Sequence, residues 1–466
     1  MANDRPSTLG ALKASGIQVL PVREEMRKNL IAKIRSGEEI FPGIVGYEET
    51  VTPQLQNAIL SGQDIILLGE RGQAKSRIIR ALTSLLDEWT PVLAGCEIPE
   101  DPFHPITSAG KALVADLGDA APISWMHRSE RYGEKLATPD ITIADLIGEI
   151  DPIKVAEGRY LSDELTIHYG LIPRTNRGIF ALNELPDLQE RIQVGLLNVM
   201  EERDVQIRGH KVRLPLDVVV VATANPEDYT NRGRIITPLK DRYGSQIRTH
   251  YPRNIENEIA IMEAETTHLR TDEFEIVVPE YMKEIVAEIS RLARRSPDVS
   301  QRSGVSVRAS VANYEAMLAN AMRRAIRLGD KVVVPRISDL PFVIPALQGK
   351  VEFETVEDGK DEQILDRLIQ GAIVSTFNRS LGDVDAERVV EAFKTGRSVE
   401  TGEAMPAANY TRLLRDMDGL AEVVGAATKD ERPEVQASAV EFVLEGLHLN
   451  KRLNKDRLGG QSLYRG

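Results

Sequence analysis

The chain has 466 residues, 42 % hydrophobic and 28 % charged, with a formal net charge of −13. This composition is typical of a soluble globular protein, and the acidic balance argues against broad, charge-driven binding of nucleic acid. No apolar run approaches the roughly 18–20 residues that a membrane span needs, and residues 1–10 lack an apolar signal core, so we expect a cytoplasmic protein. Cys96 is the only cysteine, which excludes an intrachain disulfide and a cysteine zinc cluster.

The first part of the chain is polar and then helical in pattern. We predict an N-terminal helical segment over residues 1–37, with its helix from Arg23 to Ile34. Phe41-Pro42-Gly43-Ile44-Val45-Gly46 interrupts this pattern and leads into the next domain, which we place at residues 38–252.

A glycine-rich turn follows the apolar run Ile65–Leu68 and precedes a predicted helix from Lys75 to Trp89. Strand, glycine-rich turn, Lys-Ser and helix together predict a phosphate-binding loop, whose backbone N–H groups and helix N-terminus attract phosphate. In it Lys75 would reach the β- and γ-phosphates of ATP and Ser76 would hold Mg²⁺. We assign nucleotide binding to Gly69, Glu70, Arg71, Gly72, Gln73, Ala74, Lys75 and Ser76.

One residue of this loop departs from the usual pattern. Ala74 stands where a glycine normally precedes Lys-Ser. An alanine fits there if its backbone has negative φ.

Apolar runs alternate with amphipathic segments from the loop to about residue 252. The predicted strands are Ile65–Leu68, Val92–Ala94, Ile179–Leu182, Val218–Ala222 and Gln246–His250. Five strands separated by helices favour an α/β domain with a mostly parallel sheet. Two interruptions stand out, a long insert at residues 139–173 and a hairpin at 204–214 with its turn at Gly209-His210.

Two of these strands end in polar residues. Gly178–Asn183 leads to Glu184, where a phosphate-binding ATPase usually has Asp-Glu. Asn183 can contact a metal-bound water but adds no charge, whereas Glu184 keeps the role of polarising the attacking water. Asn225 ends the run Val218–Ala224 and is placed to orient that water or to touch the γ-phosphate, although an Asn before Pro is also a common turn residue.

Two arginines follow at positions from which phosphate charge can be stabilised. Arg242 lies after the turn Thr237–Asp241 and can reach a nucleotide on a neighbouring subunit; the alternative is a surface ion pair with Asp241 or another neighbour. Arg308 follows Ser306, a predicted N-cap, and can close over the nucleotide; the alternative is a solvated arginine in a first helical turn.

The remaining chain is helical in pattern. We predict a helical lid at residues 253–349 and a helical C-terminal extension of unknown role at 350–466. The lid helices are expected at Ile255–Ala264, Tyr281–Ala293 and Val311–Leu328.

The order of these motifs resembles an AAA+ ATPase, and within that group the magnesium-chelatase I-subunit and MoxR-type branch. The resemblance covers roughly residues 38–348, from Phe41–Gly46 through Leu171–Gly178, Thr223–Glu227 and Leu239–Gly244 to Arg308. It implies a homo-oligomeric ring, a hexamer, with Mg²⁺ and ATP between subunits. Glu184, Asn225 and Arg308 would act from one subunit, and Arg242 and Arg174 from the next.

The resemblance further implies a motor that remodels a partner protein or loads metal into it, the partner carrying a von Willebrand factor A domain. Asn183 keeps open a second class, a non-hydrolysing nucleotide switch. A nucleic-acid machine is the third class, but the Gly-Ala-Phe-Thr-Gly-Ala string of sigma-factor activators is absent. Magnesium chelatase activity itself stays undetermined, because a fold does not fix a function.

Overall fold

A computed structural model describes residues 5–151, 153, 166–201, 204–206, 213–225, 233–266, 273–300, 304–354, 360–458 and 461–466. By its internal contacts the chain divides into two units, Met1–His250 and Tyr251–Gly466. Within the described ranges, no helix is long and apolar enough to cross a membrane.

The first unit is an α/β layer structure. Its helices are α1 Leu9–Ser15, α2 Val22–Ser36, α3 Val51–Leu60, α4 Lys75–Ala81, α5 Ser108–Leu117, α6 Ile143–Leu146, α7 Leu171–Arg174, α8 Glu190–Glu201 and α9 Thr237–Arg242. Its strands are β1 Ile65–Leu68, β2 Trp89–Leu93, β3 Ile123–His127, β4 Tyr132–Leu136, β5 Gly148–Ile150, β6 Ile167–Tyr169, β7 Gly178–Asn183, β8 Asp204–Gln206, β9 Arg213–Pro215, β10 Val218–Ala224 and β11 Ser245–Arg248.

The predicted five-stranded parallel sheet is confirmed. Its order is β11-β1-β10-β7-β4, and every neighbouring pair runs parallel. The inner strands β7 and β10 are buried along their whole length, which explains their continuous apolar sequences. Apolar clusters on both faces of the sheet form the core of this unit.

One of the five predicted strands is not in this sheet. Val92 lies in β2, which pairs antiparallel with β3 as a separate ribbon. The fifth place belongs to β4, whose sequence Tyr-Gly-Glu-Lys-Leu is polar because β4 is an edge strand. The predicted helix from Lys75 to Trp89 is also shorter: α4 ends at Ala81, a 3₁₀ turn covers Leu82–Leu85, and Trp89 begins β2.

Both predicted interruptions contain antiparallel pairs. Within 139–173, β5 pairs with β6 between α6 and α7. At 204–215, β8 pairs antiparallel with β9, with Asp204 opposite Pro215. The predicted turn at Gly209-His210 lies outside the described residues.

The N-terminal segment is part of the first unit and packs against the sheet domain. Helix α2 contains the predicted span Arg23–Ile34. Its buried Glu25 forms two hydrogen bonds with Arg131, at 2.7 and 2.6 Å, and Arg131 Nε donates to the carbonyl of Arg177. This ion pair, with side chains 3 % and 0 % exposed, ties α2 to the segments beside β4 and β7.

The second unit is mainly helical. Its helices are α10 Ile255–Glu265, α11 Glu280–Ala293, α12 Val307–Leu328, α13 Ile344–Gln348, α14 Lys360–Leu381, α15 Glu387–Lys394, α16 Ala407–Asp416, α17 Leu420–Ala427 and α18 Pro433–Leu449. Its strands are β12 Glu275–Ile276, β13 Val332–Val333, β14 Ser398–Gly402, β15 Asn454–Leu458 and β16 Gln461–Arg465.

The three predicted lid helices correspond to α10, α11 and α12. One apolar core runs from Ile259 to Tyr464 and takes residues from both sides of the predicted boundary at 349. Strands β14, β16 and β15 form an antiparallel sheet that the helical pattern did not predict. The short, polar sequences of β15 and β16 resemble a solvated loop more than a strand.

Candidate nucleotide site

The site lies at the carboxyl ends of three adjacent strands, β1, β10 and β7. In parallel sheets, ligands bind in the crevice outside these ends. The order of the sheet places the loop after β1, Asn225 after β10 and Glu184 after β7 on one edge. The topology therefore brings together residues that are far apart in the chain.

Lys75 is the centre of this cluster. Its side chain is buried, and its ammonium donates to the carbonyls of Gly69 and Glu70, at 2.5 and 2.8 Å, and to Asn225 Oδ1 at 2.6 Å. Three oxygen acceptors offset the cost of burying this charge. The loop thus holds a desolvated cation at the carboxyl edge of the sheet, where it can meet an anion.

Asn225 links Lys75 to Glu184. While its Oδ1 accepts from the ammonium, its Nδ2 donates to Glu184 Oε2 at 2.5 Å. A single amide therefore joins a cation to a carboxylate, and the two charges set which way the amide points. The result is a continuous hydrogen-bonded chain from Lys75 through Asn225 to Glu184.

The loop is fixed from inside by Gln73. Its Oε1 accepts from the backbone N–H of Glu70 at 3.1 Å and from Thr249 Oγ1 at 2.7 Å. Gly69 is confined by the same pair, because a Cβ there would lie 2.0 Å from Thr249 Oγ1 and 2.2 Å from Gln73 Oε1. Thr249 belongs to no sequence motif and was not predicted. It reaches the loop because it follows β11, the neighbour of β1.

Tyr47 holds the loop from the other side. Its hydroxyl lies 3.0 Å from the carbonyl oxygen of Gln73 and 2.7 Å from that of His250. Burial raises the pKa of Tyr47 to about 12, so the hydroxyl keeps its proton at neutral pH. Tyr47 belongs to the lead-in segment after Gly46, and nothing in that sequence indicated this contact.

Ala74 does not have the negative φ that suits an alanine. Its backbone has φ 54° and ψ 13°, in the left-handed region, where a Cβ costs roughly 1–2 kcal/mol. Glu184 has φ 56° and ψ 47°. The loop residue and the carboxylate are therefore both held in conformations that persist only where the surrounding structure fixes them.

The predicted metal ligands are arranged unequally. Ser76 is exposed in the first turn of α4, so its hydroxyl is open to a ligand. The Asn183 amide is engaged at both ends: its Nδ2 donates to Glu134 Oε1 at 2.6 Å, and its Oδ1 accepts from Thr223 Oγ1 at 3.2 Å. Thr223 Oγ1 also accepts from the backbone N–H of Glu184 at 3.0 Å.

These groups fit a magnesium ion that takes most of its ligands from phosphate and water. Within the part of the chain that the structure describes, no group of three or more His, Cys, Asp or Glu side chains forms a metal site. Mg²⁺ beside a nucleotide needs only one or two protein oxygens. Ser76 offers one, and the half-buried Glu184 lies at the end of the hydrogen-bonded chain that starts at Lys75.

The remaining loop residues are more open. Arg71 is exposed, and Gly72 has φ 76°, a conformation that favours glycine. The eight-residue loop therefore combines a buried inner part, around Gln73 and Lys75, with an exposed rim.

Two of the predicted arginines, Arg242 and Arg174, belong to the first unit and pair with residues outside this cluster. Arg242 pairs with Glu201 at 2.7 Å and with Asp241 at 3.3 Å, which is the surface ion pair considered above, and the bond to Glu201 raises the pKa of Arg242. A guanidinium nitrogen of Arg174, Nη2, lies 3.7 Å from the carboxylate oxygen Oε1 of Glu97.

Arg308 belongs to the second unit. It is exposed at the start of α12, and its backbone N–H donates to Ser306 Oγ at 3.1 Å, so the predicted N-cap is confirmed.

Comparison with known proteins gives two kinds of relative. A family model described as the sigma-54 interaction domain matches residues 156–239. The magnesium-chelatase 38 kDa subunit of Cereibacter sphaeroides is 28 % identical over 226 residues, which are 48 % of this chain and 62 % of that protein. The magnesium-chelatase subunit ChlI of Guillardia theta is 30 % identical over 223 residues, which are 45 % of this chain and 57 % of that protein.

The chain spans less than two thirds of the length of these curated relatives. Among solved structures, a chain of the complex between subunits BchI and BchD of magnesium chelatase is 20 % identical with a TM-score of 0.36, covering 70 % of this chain and 98 % of that one. NtrX from Brucella abortus is 15 % identical with a TM-score of 0.39, covering 83 % and 72 %.

Proposed function

We propose that this chain is an AAA+ ATPase that binds Mg-ATP and hydrolyses it as a ring motor acting on a partner protein; its similarity to magnesium-chelatase subunits supports this proposal. The observation that carries this proposal is the hydrogen-bonded chain Lys75–Asn225–Glu184 at the carboxyl edge of the sheet. Its Lys75 ammonium can bind phosphate, its Glu184 carboxylate can accept a proton from water, and the Asn225 amide holds the two groups in position.

Each side chain has a role in this arrangement. Bound Mg-ATP would supply the phosphoanhydride bond that is broken, and its divalent cation would neutralise charge on the phosphate oxygens. Lys75 binds phosphate oxygen in place of the loop carbonyls. Asn225 orients the water and holds Glu184, and Glu184 accepts the proton from that water. Catalysis here consists of positioning and charge stabilisation, because phosphoryl transfer needs little covalent help.

The arginines supply the argument for a ring. Arg242 is held at the surface by Glu201 and Asp241, away from the Lys75–Asn225–Glu184 chain of its own subunit. A half-buried surface arginine of this kind can serve the nucleotide of a neighbouring copy, which requires a head-to-tail interface that closes into a ring. We propose a hexamer in which Arg242 and Arg174 act across the interface and Arg308 acts within the subunit.

The decisive experiment is Mg-ATP turnover by the purified protein beside its Glu184→Gln variant. We expect turnover in the unmodified protein, and loss of turnover with retained nucleotide binding in the variant. Absence of turnover in the unmodified protein, with partners supplied, would refute the motor. In the mixed-ring version of the assay, Arg242→Ala subunits should reduce the turnover of unmodified neighbours.

A second candidate is a non-hydrolysing switch, in which ATP binding alone orders a scaffold. Asn183 favours it, because the strand end that usually carries a carboxylate carries a neutral amide here. The two candidates separate on one result, since the switch binds Mg-ATP without turnover.

A third candidate, a nucleic-acid remodeller, is suggested only by the sigma-54 interaction-domain match at residues 156–239. The loop string of sigma-factor activators is absent and the net charge is −13. DNA binding measured against salt concentration tests this candidate, because a true phosphate interface weakens steeply with salt.

The partner can be identified with the same Glu184→Gln protein. By analogy with the magnesium-chelatase I subunits, which this chain resembles, we propose a partner that carries a von Willebrand factor A domain. The variant, held in Mg-ATP, is used as bait in a native extract, and the retained proteins are identified with and without nucleotide. A protein retained only in Mg-ATP is expected; identical sets with and without nucleotide would contradict ATP-driven engagement.

A further inference from the structure

The Asn183 amide is oriented by a carboxylate on the neighbouring strand. Glu134 lies on β4, which pairs with β7 in parallel, with Leu136 opposite Asn183. Glu134 Oε1 accepts from Asn183 Nδ2 at 2.6 Å. The negative charge that the end of β7 lacks is therefore present one strand away, in direct contact with the residue that replaces it.

Arg80 is a second partner of this carboxylate. Its guanidinium makes two hydrogen bonds with Glu134, both at 3.0 Å, from α4 one turn beyond Ser76. The Arg80 side chain is 63 % exposed and the Glu134 side chain 23 %. Water therefore screens the arginine, whereas the bond to buried Asn183 is shorter and shielded.

The hydrogen bonds fix which atom of Asn183 points where. With Nδ2 committed to Glu134, Oδ1 faces Thr223, which in turn accepts from the backbone N–H of Glu184. An aspartate at position 183 would place two carboxylates where one N–H···O bond is now made. The neutral amide is thus the side chain that matches Glu134, rather than a simple loss of function.

We propose that Glu134 is the positioning residue for magnesium at the nucleotide site: it carries the negative charge missing at residue 183 and orients the Asn183 amide. This inference rests on the proposed function, because it assigns a residue to the magnesium side of the same site. Outer residues of this kind orient the groups nearest the metal, and their loss usually weakens metal binding about 10–100-fold.

The first experiment needs neither metal nor nucleotide. Both tryptophans, Trp89 and Trp125, lie in the first unit, so urea unfolding followed by tryptophan fluorescence reports that unit. Asn183→Asp should raise the unfolding equilibrium constant at least tenfold at neutral pH, so that the folded-to-unfolded ratio falls by the same factor. Adding Glu134→Gln, which moves the carboxylate from position 134 to 183, should recover most of this loss. Additive effects of the two changes would overturn the pairing.

The second experiment measures Mg²⁺ affinity with a fluorescent ATP analogue bound to the protein. Glu134→Gln should weaken the apparent Mg²⁺ affinity about tenfold. The double variant Glu134→Gln/Asn183→Asp should return to within about threefold of the unmodified protein. Asp116→Asn, an equal charge change on exposed α5, should have no effect. A purely structural Glu134 would change stability but not the Mg²⁺ titration.

Two results in the second experiment would refute the proposal. One is a Glu134→Gln protein whose Mg²⁺ affinity matches that of Asp116→Asn. The other is a double variant no better than Glu134→Gln alone. If the unmodified protein binds no nucleotide at all, the proposed function fails instead, while urea unfolding still decides whether residues 134 and 183 are coupled.

Discussion

Replacing Asn225 with alanine removes the link between Lys75 and Glu184. Both lost hydrogen bonds involve a charged group, and such bonds contribute about 1.5–3 kcal/mol each. Lys75 keeps two carbonyl acceptors, and water can reach the half-buried Glu184. We therefore expect the free energy of unfolding of the first unit to fall by about 2 kcal/mol, less than the sum of the two bonds.

The assay is urea unfolding without nucleotide, followed by tryptophan fluorescence, together with ATP binding and turnover. Because Asn225→Ala releases Lys75 from one acceptor, ATP affinity should stay within about threefold of the unmodified protein, while turnover falls about 100-fold through the loss of water orientation. Affinity and turnover thus change independently.

Asn29→Ala is the matched control. Asn29 Nδ2 also makes two hydrogen bonds, to the Leu85 carbonyl at 2.9 Å and to Asp87 Oδ1 at 2.8 Å, in the same unit. It should cost stability without changing turnover. A loss below about 0.5 kcal/mol in Asn225→Ala, or an equal loss of turnover in Asn29→Ala, would refute the Lys75–Asn225–Glu184 chain as the centre of the site.

Three further predictions concern stability and use the same fluorescence readout. Arg131→Met should cost about 3–5 kcal/mol because it leaves Glu25 buried and uncompensated, whereas Glu25→Met/Arg131→Met should cost clearly less; equal losses would contradict this. Ala74→Gly should change stability by less than about 1 kcal/mol, since relief of left-handed strain is offset by a lost methyl contact and a more flexible unfolded chain; a change above about 2 kcal/mol would be inconsistent. Burial alone would raise the pKa of Glu134, but the hydrogen bonds from Arg80 and Asn183 outweigh burial, so the pKa in the folded protein is lowered. The ionised carboxylate should therefore stabilise the fold fully above the ordinary pKa of a glutamate, and this stabilisation should be lost as pH falls through the lowered pKa. In Glu134→Gln, the free energy of unfolding should depend less on pH in this acidic range. An unchanged pH dependence would contradict the role given to the Glu134 carboxylate.

The parts of the site that follow a strand could be predicted from sequence. Lys75, Glu184 and Asn225 each come after an apolar run, and parallel strands bring their carboxyl ends to one edge, so periodicity alone places them together. The helix spans of the second unit were similarly accessible, because amphipathic repeats over many residues are a strong signal.

The parts that depend on lateral neighbours could not be predicted. Glu134 and Thr249 act on the site only because β4 lies beside β7 and β11 beside β1. The polar edge strand β4 carries no apolar run, so the apolar segment at Val92 was predicted in its place. The left-handed backbone of Ala74 is equally invisible, since a residue type indicates what a backbone prefers rather than what its surroundings impose.

Tyr47 connects the phosphate-binding loop to the end of the first unit. A phenol has one proton, yet two carbonyl oxygens, those of Gln73 and His250, lie within hydrogen-bonding distance of it. The hydroxyl therefore donates its one proton to a hydrogen bond with either of these two carbonyls. His250 is the last residue of the first unit, and Tyr251 begins the second. The Tyr47 hydroxyl therefore lies within hydrogen-bonding distance of both the phosphate-binding loop and the last residue of the first unit.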